Sequence, residues 1–327
     1  MVYSVSSEQF FTLTEGMAWV SHTQTRAWCE AFIPERERCF FVDDLHHPQI
    51  ACVGQFRCKW GLRMLFIAGE CLHLNPMSDK TVHTFYEGIL AQQPVDLCYI
   101  NSDSIYHPLF ETGIRQAGYL RPVGLFSTTL SKIVRTDQPL SMDKSWRRNL
   151  KHAEACQLDF VVEEYPFISD IQAYQDAHRA MEQRKRFSDS LIREQQIRLL
   201  ADNRFRLAWV NTSEGEHVAG GIIYCREQED GYARFLYSFT TEKGRKLSAA
   251  YKLYESLVRY LREHAVKRFD LGRISPSKHS KNNIFLFKNG LGGTTISYNG
   301  EWLWTRYRWL PLLFYFANRY RFKRVQV

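Results

Sequence analysis

The sequence has no C-x-x-C pair, no apolar stretch near the ~20 residues that a membrane-spanning helix needs, and no acidic residue from Trp302 to Val327. The first absence argues against a paired-cysteine metal or disulfide framework. Cysteines 29, 39, 52, 58, 71, 98, 156 and 225 lie scattered, most among apolar neighbours, and read as reduced core residues. Asp44, His46 and His47 fall close together, but no second ligand pair has zinc spacing. The H-H-P run reads as a polar turn, and no metal is expected. The amino terminus, MVYSVSSEQFF, carries no basic stretch followed by an apolar run, so the expected compartment is the cytoplasm or the inner face of its membrane.

What is present is length, hydrophobicity and positive charge. A chain of 327 residues, 45% hydrophobic, exceeds the size at which single cores stop growing, so two domains are expected. A formal net charge of +8 favours an anionic partner: a nucleotide, an RNA, a phosphorylated precursor or an acidic membrane surface.

An internal repeat sets the architecture. Val82, Phe85, Tyr86, Ile89 and Leu90 recur at helical spacing, followed by a strand at 96–100, a helix at 108–116 and a strand at 123–129. Ala250, Leu253, Tyr254, Leu257, Val258 and Leu261 repeat the helix, followed by a strand at 269–271, a helix at 282–288 and a strand at 295–298. The short helices carry L-F-E-T-G (109–113) and L-F-K-N-G (286–290), each glycine placed to take the left-handed conformation that stops a helix. Duplication explains both matches. Helices at 168–185 and 189–201 and strand runs near 206–211, 218–225 and 233–239 precede the second copy. In the first half, strand runs occur at 39–42, 50–56 and 64–68. T-D-Q-P-L-S reads as a linker, giving domains 1–138 and 139–327.

The order strand, two helices, three strands, helix, strand, helix, strand is that of GNAT acyltransferases. The expected fold class is α/β (α+β), with two tandem GNAT-like domains, each a mixed sheet flanked by helices. Ser145-Trp146-Arg147-Arg148-Asn149-Leu150-Lys151, Phe269-Asp270-Leu271-Gly272-Arg273 and Phe287-Lys288 with Gly290-Leu291-Gly292-Gly293 together resemble the FemAB-like transferases. The resemblance covers nearly the whole chain. It implies transfer of an acyl or aminoacyl group, often from a charged tRNA, to an amine of a peptidoglycan or other cell-envelope precursor. The chain departs from the family at Ile67-Ala68-Gly69-Glu70-Cys71, where members with muropeptide acceptors often carry P-R-G-P, and it lacks the long heptad-bearing helical arm of some members.

The resemblance makes Lys288 the candidate catalytic residue. A lysine on a short helix beside a sheet opening can stabilise a developing oxyanion or leaving group. The alternative is an ordinary solvated charge meeting a helix dipole. Arg147, Arg148 and Lys151 fall within one or two helical turns and suit phosphate oxygens, or else form a solvated helix start. Arg273, just past a strand end, and Phe287 complete the candidate substrate contacts. Ordinary GNAT enzymes hold the coenzyme A pyrophosphate with R/Q-x-x-G-x-G/A at a helix N-terminus; here Arg245 and Ala250 fit and Ser248 replaces the central glycine. The donor is therefore aminoacyl-tRNA or acyl-CoA, with no tightly bound cofactor. The acceptor is an anionic small molecule or a lipid-linked precursor, tRNA is a candidate partner, and nothing points to DNA. A silent GNAT-like module that binds an anion is the remaining alternative. Gly290–Gly293 follows a helix and precedes a strand, the reverse of a dinucleotide loop, and reads as a turn.

The carboxyl tail interleaves Trp302, Trp304, Tyr307, Trp309, Leu312, Leu313, Phe314 and Phe316 with Arg306, Arg308, Arg319, Arg321, Lys323 and Arg324. Such a mixture suits a membrane interface. It equally suits a final strand and helix, started at Pro311, that bury their aromatics against the second domain.

Overall fold

The computed structural model describes residues 1–59, 61–73, 77–122, 128–185, 191–227, 231–275, 283–313 and 315–316. By its internal contacts the chain forms two units, Met1–Thr129 with Ser297–Val327, and Leu130–Ile296.

Unit 1 contains β1 (Tyr3–Ser4), α1 (Ser7–Thr14), β2 (Trp19–Val20), α2 (Arg26–Phe32), β3 (Arg38–Val42), β4 (Ile50–Lys59), β5 (Leu62–Ala68), β6 (Cys71–Leu72), α3 (Asp79–Gln92), β7 (Leu97–Ile105) and α4 (Pro108–Gln116). Its strands run in the order β1-β3-β4-β5-β7, all antiparallel except β5 with β7. The α3 stripe of Val82, Phe85, Tyr86 and Ile89 is buried, as its spacing requires. A second cluster joins Phe10, Cys29, Phe40, Val53 and Cys71. Five of the eight cysteines are buried, two are half-buried, and Cys58 is exposed.

Unit 2 opens with β8 (Leu130–Arg135) and α5 (Lys144–Ala155), then β9 (Asp159–Glu163), α6 (Ile168–Lys185), α7 (Arg193–Leu200), β10 (Phe205–Asn211), β11 (His217–Arg226), β12 (Tyr232–Thr240), α8 (Glu242–Lys246), α9 (Ala249–Glu263), β13 (Arg268–Arg273), α10 (Asn283–Gly290) and the first residues of β14 (Thr294–Thr305), most of which belongs to unit 1. The strand order β8-β13-β12-β11-β10-β9 is antiparallel except for β12 with β13. From β9 to β14 this is the expected GNAT sequence of elements. Leu253, Tyr254, Leu257, Val258 and Leu261 turn α9 onto a core that includes Ala208, Ile223, Phe235, Phe269 and Leu271.

The division into units differs from the 138/139 boundary read from the sequence. The chain enters unit 2 already at Leu130, because β8 pairs with β13 through Phe269↔Val134 and Asp270↔Ile133. It returns to unit 1 at Ser297, where β14 pairs with β7 from Tyr298↔Ile105 to Thr305↔Leu97. The T-D-Q-P-L-S segment is thus a loop between β8 and α5, inside unit 2. Of the strand expected at 123–129, residues 123–127 lie outside the described residues, as do 189–190 of the expected helix at 189–201 and the first residue of that at 282–288.

The two repeat glycines are not left-handed. Positive φ occurs at Gly118 and at Gly292 and Gly293, beyond the helices, whereas Gly113 and Gly290 lie within α4 and α10. Their lack of a side chain serves helix contact instead. A Cβ on Gly113 would lie 2.3 Å from the Asp79 carbonyl oxygen and 2.8 Å from Val82 Cβ, in the first turn of α3. A Cβ on Gly290 would lie 2.6 Å from Asp143 Oδ2 and 3.0 Å from the Trp146 ring, at the start of α5. Because the Asp79 carbonyl belongs to a helix backbone and cannot swing aside, Gly113→Ala is expected to lower stability by about 1–3 kcal/mol in urea unfolding, with an unchanged m-value.

Candidate functional site

The parallel strands β12 and β13 pair only at Tyr232↔Arg268, Ala233↔Phe269 and Arg234↔Asp270, and beyond these residues they part. Both strands carry a local cause. β12 bulges against β11 between Phe235 and Tyr237, and Gly272 of β13 takes a φ of 81° that an L side chain rarely adopts.

Asp270 sits at the point of parting with no exposed surface. Its carboxyl oxygens accept from Ser131 Oγ at 2.5 Å, from Tyr232 Oη at 2.8 Å and from the Gly272 backbone N–H at 2.8 Å, and the Arg234 guanidinium stands 3.6 Å away. Lys288 extends from α10 into this opening and donates to the Arg273 carbonyl oxygen at 3.0 Å. Its Nζ lies where Gly272 leaves room: a Cβ on that residue would be 3.3 Å from the nitrogen. Burial pushes the Lys288 ammonium down to about 8, with Asp270 opposing the shift and Arg234 reinforcing it. Burial thus brings the titration of this group closer to neutral pH than that of an exposed lysine.

The helix that carries Lys288 is fixed by α5. Asp143 caps α5 by accepting from the Trp146 N–H at 2.7 Å and donates its own N–H to the Gly290 carbonyl at 2.9 Å. The buried Trp146 indole N–H donates to the Phe287 carbonyl at 2.9 Å. Phe287 packs edge-on to Tyr251 and Tyr254, with centroids 5.0 Å away in both cases, and lies tilted beside Trp146 at 5.6 Å. Phe287 is thus an aromatic anchor for the lysine next to it. Arg273 is half-buried at the end of β13, its carbonyl engaged by Lys288.

Arg147, Arg148 and Lys151 are exposed on α5, on the side away from Trp146. One residue further, His152 Nδ1 lies 3.3 Å from Ser248 Oγ, which ties the basic face of α5 to the start of α9. Ser248 has φ 55° and ψ 30°, the left-handed conformation that glycine takes without strain. At this one position the serine takes the backbone conformation expected of the glycine it replaces, and Arg245 lies in the last turn of α8 just before it. Lys185, at the end of α6, joins this region: its ammonium is lowered by burial first and then by Arg184 and Arg245. The sequence reading missed Ser131, Tyr232, Arg234 and Lys185. A Q-R-K-R run at 183–186 was the only local signal for the last.

Unit 1 parts its parallel pair in the corresponding place, with a different lining. The β5–β7 pairing ends at Ala68↔Asn101. Beyond it lies Glu70, buried, accepting from Ser102 Oγ at 2.6 Å, its carboxyl raised to about 7 by burial and then by Asp103. Asp103 accepts from Ser21 Oγ at 2.7 Å. Glu111, which occupies the Lys288 place in the repeat, accepts from Arg115 at 2.8 Å and Arg121 at 3.1 Å. Asp44 accepts from the backbone N–H groups of His46 and His47, both at 2.8 Å, as a polar turn requires.

No protein-family model matches the chain, and no curated protein matches its sequence. Solved structures share its fold. FemX, at 12% identity, aligns over 96% of this chain and 99% of its own with a TM-score of 0.75. L-PGS from Bacillus licheniformis, at 15% identity, aligns over 96% of each chain with a TM-score of 0.65. A tandem GNAT protein from the clavulanic acid biosynthesis pathway, at 8% identity, aligns over 93% and 98% with a TM-score of 0.54.

The left-handed serine gives a direct test of the loop. Ser248→Gly removes the strain of a side chain at positive φ, and a gain of up to about 1 kcal/mol is expected in equilibrium unfolding.

Proposed function

With the tandem GNAT fold as premise, we propose that the protein is an acyl- or aminoacyl-transferase that forms an amide on an amine acceptor, with its chemistry in unit 2. The observation that carries this reading is Lys288, held in the opening between β12 and β13 with its ammonium lowered to about 8. The acceptor nitrogen attacks the carbonyl carbon of the donor ester or thioester. A C–N bond forms, the C–O or C–S bond breaks, the amine gives up a proton and the leaving oxygen or sulfur takes one. Lys288 as a cation stabilises the oxyanion of the tetrahedral intermediate or protonates the leaving group. The Arg147, Arg148 and Lys151 face holds phosphate, and Arg273 contacts substrate.

Aminoacyl transfer from charged tRNA to a cell-envelope precursor, soluble or lipid-linked, is the first form of the proposal. It is supported by the R-R-N-L-K, F-D-L-G-R and F-K motifs in their order and by the similarity of fold to FemX and L-PGS over nearly the whole chain. A second form, with acyl-CoA as donor, is favoured by the left-handed backbone of Ser248 behind Arg245. Glu111, tied to two arginines, supports leaving the chemistry to the second copy and an acceptor-side role to the first.

A cationic role fixes the sign of the pH dependence. Turnover falls as pH rises through about 8 and Lys288 loses its proton, while the acid limb belongs to the acceptor amine. Lys288→Arg, whose charge does not titrate in this range, is expected to lose the basic limb while keeping partial activity. Lys288→Ala should lose about 100-fold or more in kcat with its unfolding midpoint near that of the parent, and Arg147→Ala should mainly raise KM. Parent-like turnover in Lys288→Ala would remove the assignment.

The two donors separate in one comparison. Labelled product from charged tRNA with no calorimetric signal for acetyl-CoA identifies the first form, and acetyl-CoA binding with acetyl transfer identifies the second. Neither signal would leave the silent anion-binding module.

A further inference from the structure

The carboxyl tail resolves into two populations of apolar side chains. Trp302 and Leu303 of β14 are buried, and so is Leu310, which packs with Leu97 and Leu303. Trp309, Leu312, Leu313 and Phe316 are instead 54%, 58%, 49% and 61% exposed. Their spacing of i, i+3, i+4 and i+7 places them on one helical face, and the bonds from the Leu312 and Leu313 N–H groups to the Trp309 carbonyl, at 3.1 and 3.3 Å, close the turn. The face is not a loose end seeking the core. Leu310 roots the turn in unit 1, and Arg306 holds Asp96 through its backbone N–H at 2.9 Å and its guanidinium at 3.7 Å. The expected burial of the tail aromatics against the second domain is not what is found: Trp302 is buried within unit 1, and Trp309 and Phe316 are exposed.

Charge identifies what the face meets. Tyr307 and Trp309 stack at 6.0 Å, with exposed Arg308 between them in sequence. From Trp302 to Val327 the sequence has six arginines and lysines and no aspartate or glutamate. An RNA would satisfy the cations but has no use for four exposed apolar side chains on one helical face. A bilayer surface uses both, because aromatic rings and leucines enter the headgroup boundary while arginines meet anionic lipid. Among the described residues no helix is long and apolar enough to cross a membrane, so the contact is with the surface.

We propose that the helical face of Trp309, Leu312, Leu313 and Phe316 docks unit 1 on an anionic lipid bilayer. The docking does not depend on the transferase chemistry, and its test reads no activity.

The full chain is floated with vesicles of phosphatidylcholine alone and of an equal mixture with phosphatidylglycerol. Recovery with the anionic vesicles is expected to exceed that with neutral vesicles by about tenfold and to fall with salt. The double variant Leu312→Ser, Leu313→Ser should lose about tenfold or more in partitioning, and Arg308→Glu should weaken binding to the anionic vesicles alone. Both variants replace exposed side chains, so unfolding midpoints equal to the parent's separate lost docking from lost folding. Equal recovery of parent and double variant, equal recovery on the two vesicle types, or no binding by the parent overturns the proposal. So does a parent dimer in analytical ultracentrifugation that the serine pair dissociates while vesicle binding is nil, because the face would then belong to a second copy.

Discussion

When two parallel strands stop pairing inside a sheet, the backbone groups on their facing edges lose their partners and need others. At the parting of β12 and β13 two side chains meet that need: Asp270 accepts the Gly272 N–H and Lys288 donates to the Arg273 carbonyl. The remaining site geometry follows from this. Gly272 has to be left-handed and without a side chain for the strand to turn and the ammonium to fit, and Ser131, Tyr232 and Arg234 surround Asp270 so that a carboxyl group with no exposed surface is satisfied. Lys288 uses one of its three donors on the Arg273 carbonyl.

The same wedge occurs twice with opposite electrostatics. In unit 2 it holds a cation lowered by burial, and in unit 1 it holds Glu70, a carboxyl raised by burial to about 7. Burial favours the neutral form of each group, so duplication of the backbone fixed where a titratable group is desolvated while substitution chose its sign. The helices behind the wedges diverged as well. Lys288 reaches into the opening, whereas Glu111 is consumed by Arg115 and Arg121.

The elements were legible wherever a single stretch encodes them. The apolar stripes of α3 and α9 announce their buried faces by spacing alone, and the order of elements from β9 to β14 could be read without a partner being known. What escaped was non-local. Nothing near Asp270 says that it will meet Ser131, 139 residues away, and nothing in β14 says that most of its length pairs with β7. The glycines of the two repeats were conspicuous, but their cause was a neighbouring helix rather than their own, so the left-handed reading failed at Gly113 and Gly290, and the positive φ falls instead at Gly292 and Gly293 of the turn that follows α10. At Ser248 the residue type concealed a glycine-like backbone that only coordinates reveal.

The return of β14 to unit 1 sets an order of events during synthesis. The first 129 residues leave the ribosome with one flank of β7 unpaired, since the strand that covers it spans Tyr298–Thr305. Unit 2 must be translated in full before that flank, with Cys98 and Ile100 beside it, can be closed. An uncapped strand edge invites pairing with other chains. The amino-terminal half therefore keeps an open strand edge until the second half has been made, although it is made first.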